Sequence, residues 1–203
     1  MESVLNIAAG KIKPLYMNSM DESYFLIQLD QMYKSFDTIE LAETKHEHLL
    51  DVRQNEDITI KVNEDAFDFL ANYSYQFDHI ASYRFLEHIS KPHVQGFIYL
   101  LSTALKIGGT LDIIVPNYEI LANMILKEDI SDNMKHKDWE QHDTELTYEL
   151  LNEPSMPHAS IWTPQRIKYF FELEERFKVD SLDDRFLFDG RDCYIRSLMT
   201  RVK

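Results

Sequence analysis

The sequence predicts an α/β fold built on a mostly parallel sheet of seven strands, with helices on both faces. The first observation is a set of short apolar segments bounded by turn residues, which are strand candidates. Several are apolar throughout, as strands buried on both faces are. The second is that helical patterns separate most of these segments. The candidate strands are residues 4–8, 24–29, 58–62, 77–82, 111–115, 177–182 and 193–199.

The third observation is the short connection between the last two candidate strands. Residues 183–192 are too few for a parallel crossover, so the final pair is predicted to be antiparallel. The acidic run Asp183-Asp184 beside Arg185 is interpreted as part of this loop. The sheet is therefore expected to contain one antiparallel strand near the C-terminus.

The clearest helical pattern covers residues 91–106, where apolar residues recur at helical spacing. Ser90 is placed to cap this helix, Pro92 suits its first turn, and Gly108-Gly109 is expected to end it. Further helices are predicted at 118–127 with Asn117 as the cap, from Thr163-Pro164 onward, and at 38–50.

Length and charge limit the classes of protein that the chain can belong to. Its 203 residues are predicted to form one domain, and its 21 basic against 35 acidic residues give a formal net charge of −14. An acidic surface disfavours general binding of nucleic acids and adsorption to anionic membranes. The N-terminus lacks a signal-peptide pattern, so we expect a cytoplasmic protein.

No metal site is expected from the sequence. Cys193 is the only cysteine, which excludes an intramolecular disulfide and a thiolate zinc site. His46 and His48 lie two positions apart, so a helix would direct them to different faces.

Small and acidic residues follow four of the candidate strands. The carboxyl ends of parallel strands meet at one edge of a sheet, where ligands bind. A turn of small residues lets a ligand approach the backbone closely, and an acidic residue about 20 positions later is suited to binding ribose hydroxyls. The residues at these four ends are Ala8, Ala9 and Gly10, then Asp30, then Asp65 and Ala66, and finally Ala81, Ser82 and Tyr83.

Segment 4–10, Val-Leu-Asn-Ile-Ala-Ala-Gly, resembles the glycine-rich motif of class I S-adenosylmethionine-dependent methyltransferases. It is most similar to the subgroup whose motif reads Leu-Asn-Leu-Gly-x-Gly. Residues 77–89 resemble the fourth-strand segment of that family, and 105–117 resemble its helix-to-fifth-strand turn. The resemblance implies a Rossmann-like fold and a single methyltransferase-like domain over residues 1–203, with 131–162 as a substrate-covering insertion.

The resemblance also implies a role for each strand end. Residues 8–10 would face the methionine part of S-adenosylmethionine, and Asp30 would bind its ribose hydroxyls. Asp65 and Ala66 would lie beside the adenine. Residues 81–83 would line the cofactor near the reactive methyl group.

The implied reaction is an in-line displacement of the sulfonium methyl group by a small-molecule or sugar-like acceptor. Such a reaction depends above all on alignment of the reactants. Residues that could contact the acceptor are Trp139, His142, His158 and Trp162. His158 is our candidate for acid/base or positioning work because an unperturbed imidazole titrates near neutral pH. The alternative for each is a packing aromatic or a surface histidine.

Two other functions remain open from the sequence. Ala8 stands where the family usually has glycine, which is compatible with a catalytically inactive methyltransferase-like subunit that binds a protein partner. A dinucleotide-binding oxidoreductase shares the pattern of strand, turn and acid. It is disfavoured because residues 8–13 lack the Gly-x-Gly-x-x-Gly that a pyrophosphate needs.

Overall fold

A computed structural model of the protein describes residues 2–7, 24–29, 58–62, 65–73, 76–127, 158–173, 175–188 and 191–203. The strands are β1 (Glu2–Ile7), β2 (Tyr24–Leu29), β3 (Ile58–Val62), β4 (Phe77–Tyr83), β5 (Leu105–Pro116), β6 (Phe177–Phe188) and β7 (Arg191–Arg201). The α-helices are α1 (Ala66–Asn72), α2 (Lys91–Ala104), α3 (Tyr118–Lys127) and α4 (Pro164–Glu172). A 3-10 turn covers Leu86–His88.

The strands form one sheet in the order β3-β2-β1-β4-β5-β7-β6. The pairs from β3 through β5 are parallel. Strand β7 runs antiparallel to both of its neighbours, β5 and β6. The predicted α/β class, with a mixed sheet and helices, is confirmed.

Helices cover both faces of this sheet. Alternate residues of a strand point to opposite faces, and β5 shows the division. Leu111 and Ile113 belong to the larger hydrophobic core, to which α1, α2 and α4 contribute. Ile114 belongs to a smaller core that includes Leu121 of α3. The sheet is therefore buried from both sides, which explains the continuously apolar strand candidates.

The boundary between α2 and β5 lies earlier than predicted. The helix ends at Ala104, and β5 begins at Leu105, which pairs with Phe77 of β4. Gly109 is therefore a strand residue, and a Cβ atom there would lie 2.8 Å from the backbone oxygen of Asp78. This glycine permits close approach of two strands and does not end the helix.

The prediction of a loop over residues 183–192 was wrong for most of that segment. Strands β6 and β7 continue toward each other through the pairs Asp183↔Arg196 and Phe186↔Tyr194. Register irregularities interrupt this pairing, and most side chains of β6 are not buried. An edge strand of this kind can carry charged residues on its exposed side. The sequence of such a strand therefore resembles that of a loop.

The predicted helix caps have mixed outcomes. The Asn117 side chain accepts from Glu119 N at 3.1 Å, so this cap is confirmed. The Thr163 hydroxyl, where a helix was predicted to begin, accepts from Arg166 N at 3.3 Å. Ser90 occupies the cap position of α2 but makes no side-chain cap hydrogen bond. Its hydroxyl is instead hydrogen-bonded to His93 Nδ1, at 2.8 Å.

Helix α1 was not predicted, and the predicted helix at 38–50 lies outside the described residues. Within the described part of the chain, every helix is too short or too polar to cross a membrane.

Candidate active site

The sheet reverses its strand order between β1 and β4. From β1 the chain proceeds to β2 and β3 on one side, while β4 and β5 lie on the other. In open α/β sheets this reversal opens a crevice at the carboxyl ends of the strands, and ligands bind there. Here the crevice begins beyond Ile7 of β1 and Tyr83 of β4.

Several predicted site residues lie outside the described residues. They are Ala8, Ala9, Gly10, Asp30, Trp139 and His142. Their roles in binding cofactor or acceptor stay predictions.

Asp65 and Ala66 lie just after β3, where they begin α1. The Asp65 carboxylate is the N-cap of this helix, since its Oδ1 accepts from Phe67 N at 2.9 Å and from Asp68 N at 3.3 Å. Ala66 is packed into the larger core. The capping bonds hold the carboxylate at the carboxyl edge of the sheet, and its role toward an adenine stays a prediction.

Ala81, Ser82 and Tyr83 are the last three residues of β4 before the crevice, and all three are buried. The Ser82 hydroxyl is buried and makes no hydrogen bond to any other described residue. Buried hydroxyls without a partner are uncommon, because desolvation costs about 1–3 kcal/mol when it is not compensated. This hydroxyl is consequently suited to a ligand at the crevice.

Tyr83 is directed to a different partner. Its hydroxyl donates to Asp112 Oδ2 at 2.6 Å, and Arg196 donates to both carboxylate oxygens of Asp112, at 3.1 and 2.9 Å. The hydrogen bond to Asp112 raises the pKa of Arg196. This network joins β4, β5 and β7, so the Tyr83 hydroxyl stabilises the sheet.

His158 lies beside the carboxyl ends of β4 and β5. Its Nδ1 is hydrogen-bonded to the hydroxyl of Tyr118, the first residue of α3, at 2.5 Å. Its ring also meets the ring of His88 edge-on, with centroids 4.9 Å apart. The structure thus brings His158 together with Tyr118 and His88, which follow different strands.

Backbone hydrogen bonds hold the His158 segment against the 3-10 turn. Ala159 N and Ser160 N both donate to the Glu87 carbonyl oxygen, at 2.7 and 2.9 Å. The Ser160 hydroxyl donates to the Leu86 carbonyl at 2.9 Å. These three bonds fix His158 in position relative to Glu87 and His88.

Burial determines the protonation of His158 and Tyr118. Burial, together with the nearby His88 and Arg84, lowers the pKa of His158 to about 4. Burial and the Glu87 carboxylate raise the pKa of Tyr118 above its ordinary value. At neutral pH the imidazole of His158 is therefore uncharged and Tyr118 keeps its proton.

The chain was compared with protein-family profiles, with curated protein sequences and with solved structures. No protein-family profile matches the chain, and no curated protein sequence matches it. Solved structures do match. One is a chain from the complex between the Haloferax volcanii Trm112 methyltransferase activator and a methyltransferase, with TM-score 0.58 and 13% identity, over 100% of this chain and 83% of that one.

Two further structures are similar. An S-adenosylmethionine-dependent methyltransferase of Methanosarcina mazei has TM-score 0.56 and 14% identity, over 99% of this chain and 92% of that one. DhpI in complex with SAH has TM-score 0.54 and 12% identity, over 98% of this chain and 76% of that one. The chain has the class I methyltransferase fold.

Within this methyltransferase fold, the sequence did not single out Tyr118, and it placed Glu87 and His88 only within the segment 77–89 that resembles the fourth-strand segment of the family. One signal was available, since Glu87, His88 and Tyr118 all lie within five positions of the end of a strand, β4 or β5. Trp162, a predicted acceptor contact, is fully buried and packs against Phe170. For that residue the packing alternative is correct.

Proposed function

We propose that the protein transfers a methyl group from S-adenosylmethionine to a small-molecule or sugar-like acceptor. The observation that carries this proposal is the buried Ser82 hydroxyl, which has no partner among the described residues and lies at the strand-order reversal. The methyltransferase fold supports the same cofactor. One structure of similar fold was solved with SAH.

The cofactor would be held by residues at the ends of four strands. We assign residues 8–10 and Asp30 to its methionine and ribose parts, Asp65 and Ala66 to its adenine, and 81–83 to the region of the methyl group. When bound, S-adenosylmethionine supplies an electrophilic methyl group on a sulfonium. Ser82 offers the cofactor both a hydrogen-bonding hydroxyl and a small side chain.

The acceptor would lie over β4 and β5, beside His158. An uncharged imidazole fixed by Tyr118 and by the backbone of the 3-10 turn can position an acceptor hydroxyl or take its proton. Alignment of two reactants can lower a reaction barrier by about 7–11 kcal/mol. A fixed position of His158 would therefore favour the reaction by aligning the acceptor. Residues 131–162 are assigned to covering the acceptor.

The cofactor assignment is tested by calorimetric titration with S-adenosylmethionine and with S-adenosylhomocysteine. We expect micromolar binding of at least one of them and its loss in Asp30→Ala. The exposed acid Asp184 gives the matched control, since Asp184→Ala should bind as the wild type does.

An unchanged affinity in Asp30→Ala would remove Asp30 from the ribose role. No binding of either compound at millimolar concentration would contradict the proposed activity. That result would favour the alternative, a catalytically inactive subunit that assembles with a protein, and one structure of similar fold does come from a complex with an activator.

The role of His158 is tested separately. We expect His158→Ala to lower turnover without changing the affinity for the cofactor. If both fall together, His158 has a structural role.

A further inference from the structure

The cluster beside β4 and β5 contains the residue types that bind transition metals. Glu87, His88 and His158 each direct one ligand-type atom into a space where these atoms lie within 4.8 Å of one another. Glu87 is fully buried, and the two histidines are partly buried. Two imidazoles and one carboxylate are a common set for a divalent ion that keeps an open coordination position.

We propose that Glu87, His88 and His158 form a binding site for a divalent transition-metal ion of the Zn²⁺ class. Atoms bound to Zn²⁺ at 2.0–2.1 Å lie about 3.4 Å apart in a tetrahedron. The ligand atoms lie within 4.8 Å of one another, so side-chain torsions would need to bring them together by up to about 1.4 Å. Imidazole nitrogens favour such an ion over Mg²⁺ or Ca²⁺, which prefer oxygen ligands.

Tyr118 supplies the outer contact that a metal-binding histidine needs. Such a histidine usually donates its other ring N–H to a nearby acceptor, which sets its tautomer and orientation. The Tyr118 hydroxyl lies 2.5 Å from Nδ1 of His158, and the described residues offer no hydrogen bond to Nε2. Nε2 is therefore the nitrogen presented to the ion, while Nδ1–H donates to Tyr118.

Hydrogen bonds connect the two chain segments that carry the ligands, without an ion being present. The backbone bonds from Ala159 and Ser160 to Glu87 join the segment carrying His158 to the turn carrying the other two ligands. A site whose ligands are held by such contacts loses little conformational freedom on binding.

This inference deepens the proposed function and rests on it for the identity of the ion's further ligand. Three protein ligands leave room for a water or for a hydroxyl oxygen of the acceptor. An ion held by Glu87, His88 and His158 would lower the pKa of that hydroxyl and keep its oxygen beside the crevice. The proton would pass to solvent water, since Nε2 of His158 would be bound to the ion. The acceptor class is accordingly an alcohol or a sugar hydroxyl.

The test is a calorimetric titration of chelator-treated, untagged protein with ZnCl₂. We expect one equivalent to bind with a Kd below about 1 µM. Tyr118→Phe removes an outer contact and should weaken Zn²⁺ binding by about 10–100-fold. His158→Ala and Glu87→Gln each remove a ligand and should weaken Zn²⁺ binding by more than that. The exposed histidine His93 is the matched control, since His93→Ala should bind as the wild type does.

Circular dichroism establishes that each variant is folded. If a variant does not fold, the visible absorption spectrum of the Co²⁺-loaded wild type is measured in place of the titration of that variant. Its visible absorption should show four- or five-coordinate Co²⁺ with nitrogen ligands, and Tyr118→Phe should shift that spectrum. A six-coordinate spectrum that Tyr118→Phe leaves unchanged would contradict the site.

Weak or absent Zn²⁺ binding in the wild type would overturn the inference, and so would equal binding in the wild type and His158→Ala. The titration with S-adenosylmethionine distinguishes the two proposals. Cofactor binding without Zn²⁺ binding would leave the proposed function standing and remove the metal site. Zn²⁺ binding without cofactor binding would support the metal site and contradict the proposed function.

Discussion

Asp112 and Glu87 are both fully buried carboxylates, but they lie among different kinds of neighbour. Asp112 lies within the sheet and accepts three hydrogen bonds, two of them from the Arg196 guanidinium. Glu87 lies at the carboxyl edge of the sheet, next to His88 and within ligand distance of His158. The first carboxylate is paired with a permanent cation, whereas the second lies beside two imidazoles.

This difference indicates that the Asp112 network stabilises the sheet, whereas the Glu87 cluster is suited to binding. Arg196 keeps its charge at all accessible pH values, and its two hydrogen bonds to Asp112 join β7 to β5. Imidazoles can gain or lose a proton or an ion, so the Glu87 cluster can change its state. We therefore expect changes in the Asp112 network to affect unfolding, and changes in the Glu87 cluster to affect binding.

The largest effect is expected from breaking the pair in the sheet. Arg196→Met should lower the free energy of unfolding by about 3–5 kcal/mol, because it leaves a buried carboxylate without its cation. Urea denaturation at pH 7 measures this loss. The triple variant Tyr83→Phe/Asp112→Leu/Arg196→Met is the control, because it also removes the hydroxyl that Asp112 accepts from, and it should lie within about 1 kcal/mol of the wild type. Equal losses in the single and triple variants would show that the buried charge is not the cause.

A matched pair of tyrosines sharpens the comparison. Tyr83→Phe removes a hydrogen bond to a charged group and should cost about 1.5–3 kcal/mol. Tyr118→Phe removes a hydrogen bond to a neutral imidazole and should cost about 0.5–1.5 kcal/mol in the metal-free protein. Both values come from urea denaturation at pH 7. The reverse order would contradict the assignment of stability to the Asp112 network.

The smallest effect is expected at a third carboxylate, Asp78, near the start of β4. Burial alone would raise the pKa of Asp78, but hydrogen bonds from Lys106 and Ser3 outweigh it and hold the pKa below its ordinary value of 3.8. Its stabilising effect is therefore complete above pH 3.8 and decreases as the pH falls below that value. Asp78→Asn should cost less than about 1 kcal/mol at pH 7, since the pair with Lys106 is partly exposed.

Urea midpoints between pH 7 and pH 3 measure the contribution of Asp78. Asp78→Asn should lose less stability on acidification than the wild type does. Asp184→Asn, which changes an exposed acid, should follow the wild-type profile. Identical profiles for Asp78→Asn and the wild type would assign the acid sensitivity to other groups.

Much of the architecture could be predicted because strands buried on both faces have a local signature. Residues 24–29 and 58–62 have the predicted bounds, and β7 is antiparallel as the short final connection indicated. Predictions failed where a residue has the same local pattern in two structures. Gly109 looks like a helix stop but is a strand residue near Asp78, and the charged run 183–185 looks like a loop but belongs to an edge strand.

The candidate site divides in the same way. The strand ends near Asp65 and Ser82 could be predicted because each follows an apolar segment directly. The partners of His158 could not, because Tyr118 lies 40 positions earlier in the chain and only the packing of α3 brings it near.

The sequence alone predicted the order of the described strands, three of the four described helices and the antiparallel final strand. It did so because burial and capping depend on residues close together in the chain. The tertiary structure alone decided which buried carboxylate meets a guanidinium and which meets two imidazoles. Those contacts join residues from strands and loops far apart in sequence, and no local pattern records which of them will come together.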